Sequence, residues 1–331
     1  MGETKMKLKL LRSALVAIGL FAGASAASAE GLNIAFTIHS SPSNTFWQAV
    51  KKGFDDACGK VSATCQMIFT QTEGSIEQQV ANMQAAIAAK PYALITSIVD
   101  NKAFDQVIAD ARAAGIVVIA TNVDDTEGAA GNARQAFIGQ GFGAAGYSLG
   151  KAQSANFPKD GPIKVLVGIS APGQNWSEQR GGGVLKFLEE FKAANPGRDI
   201  SFERIDSGTD LAVVADRIGA KLAADPAINA YFDTGFWHAA VARVLRDRGI
   251  PAGKVLLGGF DLVPEVLNEM KTGYVQVQID QQPYMQGFMP VMQAYLSQTV
   301  GLSPADIDTG QGVVTPDQVD KIMDMAKQGL R

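Results

Sequence analysis

The sequence predicts an α/β protein made of two doubly wound parallel-sheet lobes, and three observations predict it. Short β-rich runs alternate strictly with amphipathic helical runs, the pattern of parallel strands covered by helices on both faces. The alternation makes two rounds, with a second round beginning after Gly139. The chain has 331 residues, enough for two domains at ~150 residues each. Its hydrophobic share of 47% suffices for a core in both. Eight β/α units can also be counted, so a single TIM barrel is the competing architecture.

In the first round, Leu32–Ile38 reads as a strand and Thr45–Cys58 as a helix with Asn44 as N-cap. Gln66–Thr70 is the next strand. Ser75 caps a helix that sets Ile76, Val80, Met83 and Ile87 on one face. Strand Ala93–Ile98 follows Pro91, helix Ala103–Ala113 stops at Gly115, and the apolar Val117–Ala120 reads as a strand buried on both faces. In the second round, helix Gly143–Phe157 leads to strand Ile163–Val167, helix Glu178–Ala193, strand Ser201–Ile205 and helix Asp210–Ala224. Strand Ala230–Phe232, helix Trp237–Asp247, strand Val255–Phe260, helix Leu262–Thr272, strand Val275–Ile279 and helix Pro283–Ser297 continue it. A last helix, Pro316–Gln328, has Thr315 as N-cap and proline at its first position.

The first 29 residues read as a secretory signal peptide. Lys5, Lys7, Lys9 and Arg12 form a positive start, Ala14–Ala24 an apolar run too short to span a membrane, and Ala27–Ser28–Ala29 a small-x-small cleavage pattern before Glu30. Localisation is therefore expected in the periplasm. Without that segment, 25 Lys/Arg stand against 32 Asp/Glu, a net charge of −7, which argues against nucleic acid or an anionic membrane as partner. An exported chain folds in an oxidising space, so Cys58 and Cys65 are expected to form a disulfide. They lack the C-x-x-C spacing of a redox-active pair.

Ligands of open α/β sheets bind beyond the carboxyl ends of the strands. The residues there include Asn44, Phe46 and Trp47 after the first strand, Asn122 after the fourth, and Trp176 and Arg180 in the second half. Phe236, Trp237, Asp261 and Gln281 follow later strands. All three tryptophans of the chain fall in this set. Aromatic rings cover the C–H faces of a sugar, while carboxylates, carboxamides and a guanidinium satisfy its hydroxyls.

Catalytic readings are weaker. The two histidines, His39 and His238, lie in different halves, and neither H-E-x-x-H nor G-x-S-x-G is present. Gly139, Gly141, Gly143 and Gly146 mimic a dinucleotide loop but lack the acidic residue at its usual place, and read as hinge or helix-packing positions. A paired-carboxylate hydrolase would have to use Asp124 and Asp261. No calcium-loop pattern occurs. The reading is therefore a binding protein that is not an enzyme, with no cofactor and no metal.

These residues resemble the type I periplasmic binding proteins of the ribose/galactose/xylose cluster, over about residues 32–330. The resemblance is carried by Leu32–Phe36 with Asn44-Thr45-Phe46-Trp47, by Gly258-Gly259-Phe260-Asp261, by Arg180-Gly181, and by Gln281-Gln282-Pro283 with Gly287. It implies two lobes joined by three crossing strands, closing on ligand about a hinge. Crossings are expected near Gly139–Gly141, Gln281–Gln282 and Asp306–Gly312. The N-terminal lobe would comprise residues 30–139 and 282–306, and the C-terminal lobe 140–281 and 307–331. Asn44, Phe46 and Trp47 would serve the first lobe, and Arg180, Asp261 and Gln281 the second lobe and hinge.

The sequence departs from the ribose pattern in three places. Asn122 and Val123 stand where ribose binders carry an Asp-Arg pair, Gly235 and Phe236 replace an Asn-Asp pair, and Ser40–Ser43 holds an insertion. A pocket with fewer charged clamps and more aromatic surface suits a linear polyol, a deoxy sugar or a sugar with an apolar face. The expected function is capture of a small sugar or polyol by a monomer and its delivery to an ABC import permease. A ligand-presenting sensor for chemotaxis or quorum signalling, and an exported hydrolase, are the alternatives.

Overall fold

The computed structural model describes residues 31–331; the signal-peptide reading of residues 1–29 lies outside the described residues. Two six-stranded sheets organise the described residues. The first contains β1 (Asn33–Thr37), β2 (Thr64–Ile68), β3 (Ala93–Thr96), β4 (Val117–Asn122), β5 (Ala136–Gly139) and β11 (Ile307–Asp308), in the order β11-β5-β4-β3-β1-β2 and parallel throughout. The second contains β6 (Ile163–Ile169), β7 (Ile200–Asp206), β8 (Ala230–Asp233), β9 (Leu256–Phe260), β10 (Val275–Asp280) and β12 (Gly312–Val314), in the order β12-β10-β9-β8-β6-β7, with only β12 antiparallel. Two open sheets exclude the single barrel. Burial follows position: β3 and β4 are buried along their whole length, whereas the edge strand β7 is buried only at Ile200 and half-buried at Phe202 and Ile205.

The helices are α1 (Phe46–Val61), α2 (Ile76–Ala88), α3 (Asp105–Ala113), α4 (Phe142–Ser154), α5 (Asn175–Ala194), α6 (Leu211–Ala224), α7 (His238–Asp247), α8 (Pro264–Lys271), α9 (Pro283–Val300) and α10 (Val319–Lys327). Ser75 caps α2 through the Gln78 N–H, and Asp210 caps α6. Thr315 and Gln318 form a capping box on a 3₁₀ turn, Pro316–Gln318, that precedes α10. Asn44 sits one residue before the N-cap of α1, and its Oδ1 accepts from the Phe46 N–H. Among the described residues no helix is long and apolar enough to cross a membrane.

The chain passes between sheets after β5, after β10 and after β11. At the first two passages the strand hands its following helix to the other lobe. Helix α4 leaves β5 and packs on α5; α9 leaves β10 and packs on α1. Glycines make both seatings possible. A Cβ on Gly287 would sit 1.9 Å from the Val50 carbonyl oxygen, and one on Gly53 2.1 Å from that of Tyr284. In the other lobe a Cβ on Gly146 would sit 2.0 Å from the Arg180 carbonyl oxygen. Only backbones without side chains approach so closely. The third passage separates β11 from β12. Ile307 and Asp308 pair with Ile138 and Gly139, so these two residues belong with the first sheet, although the sequence reading placed them in the second lobe. That strand is only two residues long, too short to leave a periodic signal.

Cys58, near the end of α1, and Cys65, in β2, form a disulfide, as the sequence predicts. It closes a loop in the first lobe, clear of the facing strand ends.

Candidate functional site

The two sheets have matching doubly wound orders, 2-1-3-4-5 in strands of each half. The switch points lie between β1 and β3 and between β6 and β8. Loops at the carboxyl ends of both sheets border a cavity of about 40 Å³. All ten residues singled out in the sequence line it: Asn44, Phe46, Trp47 and Asn122 from the first lobe, and Trp176, Arg180, Phe236, Trp237, Asp261 and Gln281 from the second lobe and hinge. His39, Glu73 and Phe142 line it too and were not among those ten.

The second-lobe wall is charged and aromatic. Arg180 is buried, with its guanidinium carbon 4.0 Å from the ring centre of Phe260 and 4.6 Å from that of Phe142. Its Nη1 donates to the Thr234 carbonyl at 2.9 Å, and its Nε is buried without a protein acceptor. Burial pulls its pKa down to about 10, against the opposing pull of Asp261 and Asp233, so it stays a cation at neutral pH. Burial likewise raises the Asp261 carboxyl above its ordinary range, with Arg180 and Gln281 opposing. Phe236 stacks on Trp237 at 4.6 Å, and Trp176 lies 6.1 Å beyond. Behind this wall Asp233 accepts from Ser170 Oγ, Tyr231 Oη and the Gly235 N–H, and burial raises its pKa to about 6.

The first-lobe wall is uncharged apart from Glu73, whose oxygens accept from Ser40 Oγ, the Ser41 N–H and Asn44 Nδ2. This carboxylate fixes the loop that carries Asn44. Trp47 is 1% exposed and meets Phe36, His39 and Phe46 edge-on. It is as much a core residue as a cavity residue, so its removal will disturb the fold as well as the cavity. The Asp124–Asp261 pair does not assemble. Asp124 is absent from the cavity lining and is held by the Arg134 guanidinium.

The hinge joins the walls. Asn122 Nδ2 donates to Gln281 Oε1 at 3.1 Å, and Gln281 Nε2 donates to Asp261 Oδ1, so a first-lobe residue reaches a second-lobe residue through the crossing. Asn122, Asp261 and Gln282 all have positive φ, at 65°, 73° and 55°. Such strain collects at functional sites. Pro290 inside α9 has no N–H for the Gln286 carbonyl; Thr121 Oγ1 donates to that oxygen instead, at 2.7 Å. The rim is bridged as well: Asn175 N–H donates to the Val99 carbonyl at 2.9 Å, and Gln174 Nε2 to that of Gly74 at 3.1 Å. The two lobes are thus closed upon the cavity. Among the described residues no group of His, Cys, Asp or Glu is arranged to hold a metal ion.

The family model for the periplasmic binding protein domain matches residues 34–299. This chain belongs to that family. The binding protein is 30% identical over 288 residues to the xylose/arabinose-binding protein XylF of Sulfolobus acidocaldarius, covering 82% of this chain and 68% of that one. It also resembles the carbohydrate transporter of Acidothermus cellulolyticus solved with myo-inositol, at 27% identity and TM-score 0.77, covering 91% of this chain and all of that one. The solute-binding protein of Burkholderia graminis solved with D-arabinose is similar at 26% identity and TM-score 0.77, covering 87% and 96%.

Proposed function

We propose that this binding protein captures a small sugar or polyol between its lobes, in the periplasm, and delivers it to an ABC import permease without chemical turnover. One observation carries the reading: a buried guanidinium, a buried carboxylate and a stacked aromatic face of the second lobe share one cavity with Asn44, Phe46 and Trp47 of the first. Polyhydroxylated rings need that combination, since each hydroxyl must find a partner and each C–H face an apolar cover. The relative named for xylose and arabinose, and those solved with myo-inositol and D-arabinose, support the ligand class. The apolar run and cleavage pattern of residues 1–29 support export.

The ligand is reached by parting the lobes. The rim contacts of Gln174 and Asn175 break, while the chain at 281–282 and at 140–141 absorbs the rotation. The ten residues named from the sequence form the binding surface, Asp261 and Arg180 taking hydroxyls and Trp237 covering an apolar face.

A thermal-shift panel of pentoses, hexoses, deoxy sugars and polyols tests this. A ligand at ~100 times its Kd adds ~2.7 kcal/mol of stability. A hit recovered unchanged after binding supports capture. Silence across the panel removes the sugar reading, and recovery of an altered compound removes the claim of no turnover.

A further inference from the structure

We propose that His39 is a specificity-determining residue of the cleft, whose Nε2–H donates a hydrogen bond to an oxygen of the bound sugar or polyol. The inference rests on the sugar-capture reading and adds to it a named atom and a direction.

His39 follows β1 and lies at the β1/β3 switch point, where it lines the cavity. Its ring meets Trp47 edge-on at 5.4 Å, which fixes its plane. Nδ1 lies 2.8 Å from the Oγ of Ser97, just past β3. Nδ1 is thus engaged by a residue that does not line the cavity, which leaves the other ring nitrogen, Nε2, for the cavity that His39 lines.

Which nitrogen carries the proton follows from the groups behind it. Gln79 is fully buried, and its Nε2 lies 2.7 Å from the Ser97 carbonyl oxygen. A carbonyl only accepts, so that amide must present its nitrogen there. The same nitrogen lies 3.2 Å from Ser97 Oγ, and it cannot accept the hydroxyl proton. His39 Nδ1 is therefore the acceptor for the Ser97 O–H. A neutral imidazole that accepts at Nδ1 holds its proton at Nε2. Burial keeps the ring neutral, lowering its pKa to about 4 even with Glu73 opposing.

The two walls then read a hydroxyl in opposite senses. Asp261 Oδ1 accepts from Gln281, and a hydroxyl beside that carboxylate must donate. An oxygen beside His39 must accept. A ligand that places a bare carbon there leaves a buried donor unpaired, which is how a polar site rejects a deoxy analogue. Glu73 has donors on both oxygens already, and acts here as a positioning residue for Asn44.

The test titrates wild type, His39→Phe and His39→Gln calorimetrically with D-xylose, D-arabinose, D-allose and myo-inositol, and reads the His39 tautomer by ¹⁵N NMR in wild type and Ser97→Ala. The expected result is an Nε2-protonated ring at pH 7 in wild type and a mixed tautomer in Ser97→Ala. For a probe that binds, His39→Phe should lose ~10-fold or more in affinity and His39→Gln, which keeps an N–H donor, should lose less. An Nδ1-protonated or charged ring in wild type overturns the inference, and needs no variant to fold. So does a bound probe whose affinity is the same in wild type and His39→Phe, which leaves sugar capture intact. If no probe binds wild type, sugar capture falls and this inference falls with it.

Discussion

The two walls of the cleft occupy equivalent places on two sheets of the same topology, yet they are built by opposite means. The second-lobe wall holds a cation between two aromatic rings, with Asp233 and Asp261 behind and beside it. The first-lobe wall holds a neutral imidazole and a carboxamide, each fixed by a hydrogen-bond partner behind it. Topology decides where a site residue can stand. It does not decide the chemistry, so one lobe can supply charge and stacking while the other supplies directed donors.

The largest effects should come from the glycines that seat each wall. Gly287→Ala pushes α9 off α1, and Gly146→Ala pushes α4 off the helix that carries Arg180. Each should destabilise the protein by about 3 kcal/mol in denaturant unfolding, because backbone atoms cannot rotate aside. A loss under ~1 kcal/mol in either lobe would show that this seating is soft there.

Arg180→Met sharpens the contrast between walls. It should weaken sugar binding ~100-fold, since a desolvated charge is lost from the cavity. The apo protein should keep its stability, because removing a buried cation with no carboxylate directly paired relieves its desolvation. Calorimetry and thermal melting separate the two, and a large fall in apo stability would mean that Arg180 holds the second lobe together.

The covalent asymmetry is next in size. Reduction of the Cys58–Cys65 bond should cost about 2 kcal/mol, by freeing a short loop in the unfolded chain. An unchanged melting temperature in reductant would mean that α1 and β2 need no tie.

The pH response should be the smallest effect. His39 and His238 have folded pKa values lowered by burial to about 4 and about 3, so unfolding takes up protons as pH falls below ~6.5 and stability declines towards pH 4. Asp233 works in the other direction. Its pKa is raised to about 6, so its protonated form stabilises the fold at low pH and that contribution is lost as pH rises from ~4 to 6. His238→Gln should therefore flatten the acid decline and Asp233→Asn should steepen it. Identical acid profiles in all three proteins would contradict the neutral burial of these groups.

The cleft was legible because strand ends are legible: residues after β1, β4, β8, β9 and β10 could be collected from the alternation alone. Glu73 leaves no sequence signal, because its place at the cleft rests on bonds to Ser40, Ser41 and Asn44, about thirty residues away. Phe142 opens α4 one residue before the start expected at Gly143, a boundary that small residues leave indistinct. No sequence pattern reveals that three rings pack around Trp47.

The sequence by itself determined two doubly wound lobes, the disulfide and the set of side chains at the strand ends, because hydrophobic period and strand order along the chain are local properties. Only the tertiary structure decided which of those side chains share a wall, that β11 joins the first sheet, and which way His39 carries its proton. Those depend on contacts between residues far apart in the chain, Ser97 and Gln79 behind His39 among them, and on backbone approaches of about 2 Å that only a packed glycine permits.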